Sequence, residues 1–172
     1  GASLLAGGAA PARLVEGSVL VNQQVGFLRP LQLSSDPVDV SLGATDVGAA
    51  RFAMAYELRQ AGQLCARVAT LMCPFDFTRQ RIRVLNDTER ACLRGISVPG
   101  RPWRELPAFD LEGMGEPTPL QARWSDQDRY GHVNNVRILD WVQEARIEAT
   151  VNIDPSMARP GQQGPSPFTI SE

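Results

Sequence analysis

The sequence predicts an α+β fold that combines an antiparallel sheet with one long helix. Four segments between residues 14 and 72 alternate apolar and polar side chains, which is the period of a half-buried strand. A later segment, residues 135–151, repeats apolar side chains at helical spacing instead. The 172 residues suffice for one domain with its own core, and the apolar faces of sheet and helix each need a partner.

The alternating segments predict four strands. The first covers residues 14–28, and the second covers residues 38–44. Residues 52–58 and 64–72 lie on either side of the turn Arg59–Gly62, and so short a connection requires antiparallel pairing. The apolar face of the first strand is predicted to contain Val15, Val19, Val21, Val25 and Phe27.

Proline and capping residues mark the ends of these elements. Pro74 is expected to end the fourth strand, because proline has no N–H to donate to a ladder. Asn86 or Asp87 is expected to cap a short helix that ends near Gly95. Residues 96–118 are rich in proline and glycine and are predicted to form a linker.

The C-terminal part is predicted to contain a short strand, a loop and the long helix. The strand covers Leu120–Trp124, and residues 125–134 form a polar loop. Asn134 or Asn135 can serve as the N-cap of the helix. The apolar stripe of this helix consists of Ile138, Val142, Ala145 and Ala149.

Composition and charge argue against several classes of protein. A formal net charge of -2 without a basic block argues against a nucleic-acid-binding surface. Three scattered cysteines and one histidine argue against a structural zinc site or a disulfide framework, so Cys65, Cys73 and Cys92 are expected to be core thiols in a reducing cytoplasm. No apolar run is long enough to span a bilayer, and Gly1–Ala10 is interpreted as neither a signal peptide nor an anchor.

Two carboxylates, Asp126 and Asp128, lie shortly before the long helix. A helix N-terminus offers unpaired N–H groups that polarise a carbonyl and stabilise the oxyanion formed when it is attacked. A nearby carboxylate can act as a nucleophile or as a general base for water, and Gly131 allows a tight turn. By spacing alone, however, the pattern is more typical of helix capping and solvation.

The loop and helix resemble the 4-hydroxybenzoyl-CoA thioesterase-like branch of the hotdog-fold acyl-CoA thioesterases. The resemblance rests on R-W-S-D-Q-D-R-Y-G-H-V-N-N at residues 123–135, followed by L-D-W-V-Q-E-A-R-I-E at residues 139–148. In that family an antiparallel sheet wraps around one long helix, and a D-x-D-x-x-G loop leads into the helix.

The resemblance implies a role for each loop residue. Asp128 matches the catalytic carboxylate, Gly131 matches the loop glycine, and the backbone N–H of Asn135 would polarise the thioester carbonyl. Supporting roles fall to Asp126, His132 and Asn134. Whether the carboxylate is a nucleophile or a general base stays open.

The implied activity is hydrolysis of acyl-CoA thioesters in the cytoplasm. Coenzyme A enters as part of the substrate, and neither a metal nor a redox cofactor is implied. Hotdog units usually pair around their active sites, so a homo-oligomer or paired hotdog repeats are expected. No nucleic-acid or membrane partner is expected.

The order of the elements is permuted relative to a single hotdog unit. Residues 15–95 resemble the strands that follow the central helix and the short helix that closes a repeat. We therefore expect a piece of a tandem double-hotdog protein, with residues 1–95 in a first unit, the linker at 96–118, and residues 119–172 opening a second unit. A permuted single hotdog is the alternative.

Other assignments remain open from the residues. The chain can also be a non-catalytic hotdog module that binds an acyl-CoA or serves assembly. A hydratase is less favoured, because Asp128 and His132 are present without the Asn-Pro pair of the hydratase segment. Glu144 is expected to face solvent or to pair with Arg137 or Arg146. The candidates for binding coenzyme A phosphates are Arg29, Arg51 and Arg67.

Overall fold

The computed structural model describes residues 17–100, 103, 105, 107, 109–115, 117–128 and 131–153. The chain divides into two compact units between residues 106 and 107. The first contains an antiparallel sheet and a short helix, and the second contains a 3₁₀ turn and a long helix. The fold is therefore α+β, as the sequence predicts, with the strands ahead of the long helix in the chain.

Among the described residues, the sheet of the first unit has five strands, in the spatial order β1-β4-β3-β2 with β5 paired to β4. Each paired neighbour runs antiparallel. The strands are β1 Ser18–Phe27, β2 Val38–Val47, β3 Phe52–Gln60, β4 Gln63–Asp76 and β5 Arg81–Ile82. Between β3 and β4 the chain reverses through Ala61 and Gly62, both with positive φ, which is the geometry of a tight hairpin.

A β-bulge in β1 corrects the predicted apolar face. Val19 lies opposite Cys73 and Val25 lies opposite Val68, with a register shift between Leu20 and Asn22. Because one extra residue changes the alternation, Val19 and Val25 point to opposite faces of the sheet rather than to one. Val15, which was assigned to the same face, lies outside the described residues.

Pro74 does not end β4, contrary to the prediction. It pairs with Ser18, and the strand continues to Asp76. The Pro74 carbonyl accepts the N–H of Arg83 at 3.0 Å, and the N–H of Phe75 donates to the Gly17 carbonyl at 2.7 Å. The ladder therefore continues on both sides of the proline, which lacks only its own N–H.

The short helix α1, Asp87–Gly95, is capped by Asn86. The Asn86 side chain accepts the N–H of Glu89 at 2.8 Å, and the Glu89 carboxylate accepts the N–H of Asn86 at 2.9 Å. This capping box positions Leu93 in a buried cluster with residues of β2 and β3. The other members of the cluster are Ala44, Phe52, Met54 and Leu85.

The segment after α1 joins the edge of β2, although the sequence places it in the linker. The N–H of Ala44 donates to the Ile96 carbonyl at 3.0 Å, and the N–H of Val98 donates to the Ala44 carbonyl at 2.8 Å. At Gly43 an added Cβ would lie 2.6 Å from the Val98 side chain, so a larger residue does not fit there. This segment therefore covers the free edge of β2 near Ala44.

In the second unit, the predicted strand Leu120–Trp124 is wrong. The chain is irregular up to Arg123 and then forms a 3₁₀ turn, Trp124–Asp126. Among the described residues of this unit there is no strand with which residues 120–124 can form a ladder. An isolated strand leaves its backbone groups without protein partners, which explains the local 3₁₀ geometry.

The long helix α2 covers Asn135–Ile153, two residues beyond the predicted end at Val151. None of its residues is buried, and in its apolar stripe Ile138 and Val142 are 47% and 61% exposed. In the described part of the chain, no helix is both long and apolar enough to cross a membrane.

Candidate active site

The loop before α2 is closed by hydrogen bonds between Asp128 and His132. The Asp128 N–H donates to the His132 carbonyl at 2.7 Å, and the Asp128 carboxylate accepts the His132 N–H at 3.1 Å. The Asp128 carbonyl also accepts the N–H of Gly131 at 3.1 Å. A further bridge joins Gln127 to Val133. The carboxylate is therefore held by the backbone of the loop that carries it.

Gly131 allows this turn to close. Its φ is +78°, a conformation that side chains with a Cβ rarely adopt. A Cβ at this position would meet nothing within 4 Å, so the requirement for glycine comes from the backbone alone. The His132 side chain is exposed, whereas its backbone makes both bonds to Asp128.

Asn134 caps α2, which resolves the choice between the two asparagines. Its side chain accepts the N–H of Val136 at 3.1 Å, and its carbonyl accepts the N–H of Arg137 at 2.8 Å. Asn135 is then the first residue of the helix. Within the described ranges, its N–H finds no hydrogen-bond acceptor, so it is available to a ligand at the positive end of the helix.

Asp126 connects the two ends of the loop and is only 7% exposed. Its carboxylate accepts the N–H of Arg123 at 2.8 Å and lies 3.5 Å from the Arg137 guanidinium. Its carbonyl accepts the N–H of Asn134 at 2.8 Å. Asp126 is therefore buried and bonded to the residues on both sides of the loop, whereas Asp128 is half-buried.

The structure thus forms two groups from the residues that the sequence singles out. Asp128, Gly131 and His132 share the closed turn, while Asp126 and Asn134 share the entry to the helix. The sequence did not reveal that Arg137 pairs with Asp126 across eleven positions, because this separation matches no helical or strand period.

Arg137 also pairs with Asp140 at 3.0 Å, and Glu144 is exposed to solvent, which was one of its expected positions. The spacing i, i+3 places the Arg137 and Asp140 side chains on one face of the helix. Glu144 lies on a polar cleft of about 370 Å³. The cleft is lined by Leu120, Gln121, Arg123, Asp126, Arg137, Asp140, Trp141, Gln143 and Glu144, and neither Asp128 nor Asn135 lines it.

Two of the three candidate phosphate-binding arginines have partners within the first unit. Arg67 lies 3.3 Å from the carboxylate of Glu57, and Arg29 donates to the Gln63 side-chain oxygen. The arginines beside Glu57 lower the pKa of its carboxyl group, Arg59 having the larger effect and Arg67 the smaller one. Arg67 would give up part of this pairing on binding a phosphate.

The part of the chain that carries the loop matches a known family. Residues 112–153 match the acyl-ACP thioesterase C-terminal domain, and this range includes the whole segment from Asp126 to the end of α2. No curated protein sequence matches the chain.

The architecture also matches solved structures. A protein assigned as an oleoyl thioesterase from Lactobacillus plantarum is 21% identical, with a TM-score of 0.60, over 80% of this chain and 54% of that protein. The chain adopts a thioesterase-type hotdog fold.

Two further solved structures match about half of the chain. A predicted thioesterase from Bacillus stearothermophilus is 21% identical, with a TM-score of 0.47, over 49% of this chain and 63% of that protein. A Thermus thermophilus thioesterase, solved with coenzyme A and zinc, is 22% identical with a TM-score of 0.44, over 52% of this chain and 65% of that protein. The chain thus spans less than two thirds of the length of each of these three proteins.

Proposed function

We propose that this chain contributes the site of an acyl-thioester hydrolase, with Asp128 as the catalytic carboxylate. The observation that carries the proposal is the closed turn that holds the Asp128 carboxylate just ahead of a helix whose first N–H, that of Asn135, has no acceptor in the described part of the chain. The match of residues 112–153 to a thioesterase domain supports the same assignment. Within that range, the D-x-D-x-x-G pattern of residues 126–131 supports Asp128 as the candidate.

The chemistry requires a base or nucleophile and a donor for the oxyanion. In one version, Asp128 takes a proton from water as the water oxygen attacks the thioester carbon. In the other, the carboxylate attacks and forms an acyl-enzyme anhydride that water then hydrolyses. In both, the Asn135 N–H donates to the developing oxyanion, and collapse of the intermediate releases the thiolate. In the first version the thiolate takes up the proton that Asp128 removed from water. In the second version the thiolate is protonated by solvent, and the water that later hydrolyses the anhydride releases the fatty acid and restores the Asp128 carboxylate.

The carrier of the acyl group has two candidates. The loop resembles thioesterases that act on acyl-CoA, which makes an acyl-CoA the first candidate. The family match to acyl-ACP thioesterases favours an acyl group on acyl carrier protein as the second. Both substrates present the same thioester to the same carboxylate, so the choice depends on contacts away from the reacting carbon.

We also propose that the chain derives from a tandem double-hotdog protein and that its site is completed by pairing of hotdog units. The division between the two compact units falls within the Pro/Gly-rich segment 96–118, where a repeat boundary would lie, and this supports the tandem origin over a permuted single hotdog. The pairing partner is then a neighbouring repeat or a second copy of the chain. A sedimentation experiment on the full-length protein distinguishes these two sources by mass.

The test is release of free thiol by the full-length protein from a panel of acyl-CoA and acyl carrier protein substrates of increasing chain length. Asp128→Asn is expected to lower turnover about 100-fold or more. Asp110→Asn is a matched control, because this exposed aspartate of the same unit accepts a local backbone N–H, that of Glu112, at 3.0 Å.

Three outcomes of this assay distinguish the proposed hydrolase, a hydrolase with a different site, and a binding module. Turnover by the parent and the control that is lost in Asp128→Asn supports the proposal. Turnover that survives Asp128→Asn contradicts the site assignment. Absence of turnover across the panel contradicts the hydrolase, and saturable binding of a non-hydrolysable acyl-CoA analogue would then favour a binding module.

A further inference from the structure

Asp126 and Arg137 connect the two halves of the candidate site. The Asp126 carboxylate is nine-tenths buried, and it joins the entry of the loop at Arg123 to the first turn of the helix at Arg137. The Asp126 carbonyl also accepts the N–H of Asn134, the helix cap. One residue thus touches the chain before the turn, the cap after it, and the helix itself.

We propose that Asp126 and Arg137 form a positioning pair that sets the N-terminus of α2 against the loop carrying Asp128. This inference rests on the proposed hydrolase function, because it assigns the pair a role in that same site. The pair does not touch the substrate. It acts by fixing the distance and angle between the carboxylate and the Asn135 N–H.

The charges of the pair explain why it can hold one geometry. A carboxylate removed from water needs hydrogen bonds and a counter-charge, and Asp126 obtains one from each side of the loop. Arg137 is in turn oriented by Asp140, one helical turn further on, at 3.0 Å. Its guanidinium is therefore held between two carboxylates and has little freedom to rotate away.

A positioning role predicts a particular kinetic pattern. The oxyanion donor acts only in the transition state, so a displaced helix start lowers kcat and leaves KM nearly unchanged. Misplacement by about 1 Å can cost up to about 100-fold in rate. We therefore expect Asp126→Asn and Arg137→Gln each to lower kcat by about 10- to 100-fold, with KM within about twofold.

The experiment is a double-mutant cycle on the full-length protein with Asp126→Asn, Arg137→Gln and the double variant. If the two residues act through each other, the double variant loses no more kcat than the more damaging single variant. Arg137→Lys is expected to recover part of the loss, since it keeps the charge. Asp110→Asn is the control, because this exposed aspartate of the same unit accepts the N–H of Glu112 and does not pair with Arg137, and kcat should stay within about threefold.

A second measurement does not depend on turnover. Hydrogen exchange of the amides of residues 131–135 should accelerate in Asp126→Asn and in Arg137→Gln, and remain at the parental rate in Asp110→Asn. Multiplicative losses of kcat, losses that fall on KM, or unchanged exchange in both single variants would overturn the positioning pair. If the parent has no turnover, the hydrolase proposal fails on its own evidence, and unchanged exchange would additionally show that the pair does not hold the loop.

Discussion

The carboxylate of Asp128 accepts the backbone N–H of His132 at 3.1 Å while the Asp128 N–H donates to the His132 carbonyl at 2.7 Å. The proposed catalytic group is therefore also part of the structure of its loop. Replacing Asp128 therefore changes both the catalytic group and a hydrogen bond of the loop, unless the new side chain can still accept the His132 N–H.

Two substitutions at Asp128 separate these effects. Asn keeps an oxygen that can accept the His132 N–H, whereas Ala removes the acceptor. We expect both variants to lose turnover, and Asp128→Ala to lose about 1 kcal/mol more than Asp128→Asn in the free energy of unfolding, because only Asn keeps an acceptor for the His132 N–H. Urea denaturation followed by circular dichroism measures this difference. Equal destabilisation by both variants would show that the hydrogen bond to His132 contributes nothing in solution.

Gly131→Ala is expected to destabilise the loop by about 1–2 kcal/mol, because alanine disfavours a φ of +78°. Its methyl group would meet no atom within 4 Å, so the cost is a backbone cost. Gly95→Ala is the control: it also adds a methyl group in open space, but without a positive φ. There the substitution should be neutral or stabilising by about 0.4–1 kcal/mol. Thermal unfolding of the two variants beside the parent measures both effects, and a neutral Gly131→Ala would contradict the turn geometry.

Glu89→Gln is expected to cost about 3–5 kcal/mol in the free energy of unfolding, since it leaves a guanidinium without its counter-charge beside the core. Glu89 is completely buried, and both terminal nitrogens of Arg83 donate to its carboxylate, at 2.8 and 2.9 Å. The same bonds raise the pKa of Arg83 above its ordinary value.

The matched control for this pair is Glu57→Gln. In the parent, the Glu57 carboxylate bridges Arg59 and Arg67 on the surface. Exposed ion pairs contribute less than about 1 kcal/mol. Comparable losses in the two variants, measured by urea denaturation, would contradict the distinction between the buried and the exposed pair.

The Asp76 carboxyl is expected to make the stability of the folded protein fall as the pH is lowered in the acid range. The backbone N–H of Arg79 lowers the pKa of the Asp76 carboxyl most, and the N–H of Thr78 adds to the effect. A lowered folded-state pKa stabilises the protein above the ordinary value of 3.8, and this contribution is lost as the pH falls through the folded-state value. A carboxyl titration by NMR should place the Asp76 midpoint below that value. In Asp76→Asn, the acid-induced loss of stability should become smaller, and an unchanged pH profile would exclude the contribution.

Cys73 is expected to react slowly with alkylating reagents. Burial raises the pKa of its thiol above 9.0, with Arg51 opposing the shift, so the reactive thiolate is scarce at neutral pH. The stability associated with the raised value is present below pH 9 and declines as the pH rises through the folded-state pKa. Mass spectrometry after a short treatment with iodoacetamide at pH 8 should find the half-buried Cys92 modified before Cys73. The reverse order would show that Cys73 is accessible.

The predictions that the structure contradicts depend on contacts between residues far apart in the sequence. The strand predicted at Leu120–Trp124 has suitable residues but no neighbouring strand among the described residues of its unit, and backbone pairing cannot be inferred from one segment. The face of β1 changes at a bulge whose position depends on how β4 pairs with it. Pro74 continues its strand because Ser18 and Arg83 supply partners from distant parts of the chain.

By itself the sequence determined what depends on neighbouring residues: the alternation of β2, β3 and β4, a capped helix start at Asn86 or Asp87, the approximate length of α2 and the glycine of the turn. These features follow from side-chain period and from backbone conformations that only certain residues adopt. The tertiary structure alone decided that Asp126 is buried against Arg123 and Arg137 while Asp128 bonds to His132. Two aspartates one residue apart have the same chemistry in a sequence, and only the folded loop gives them different surroundings.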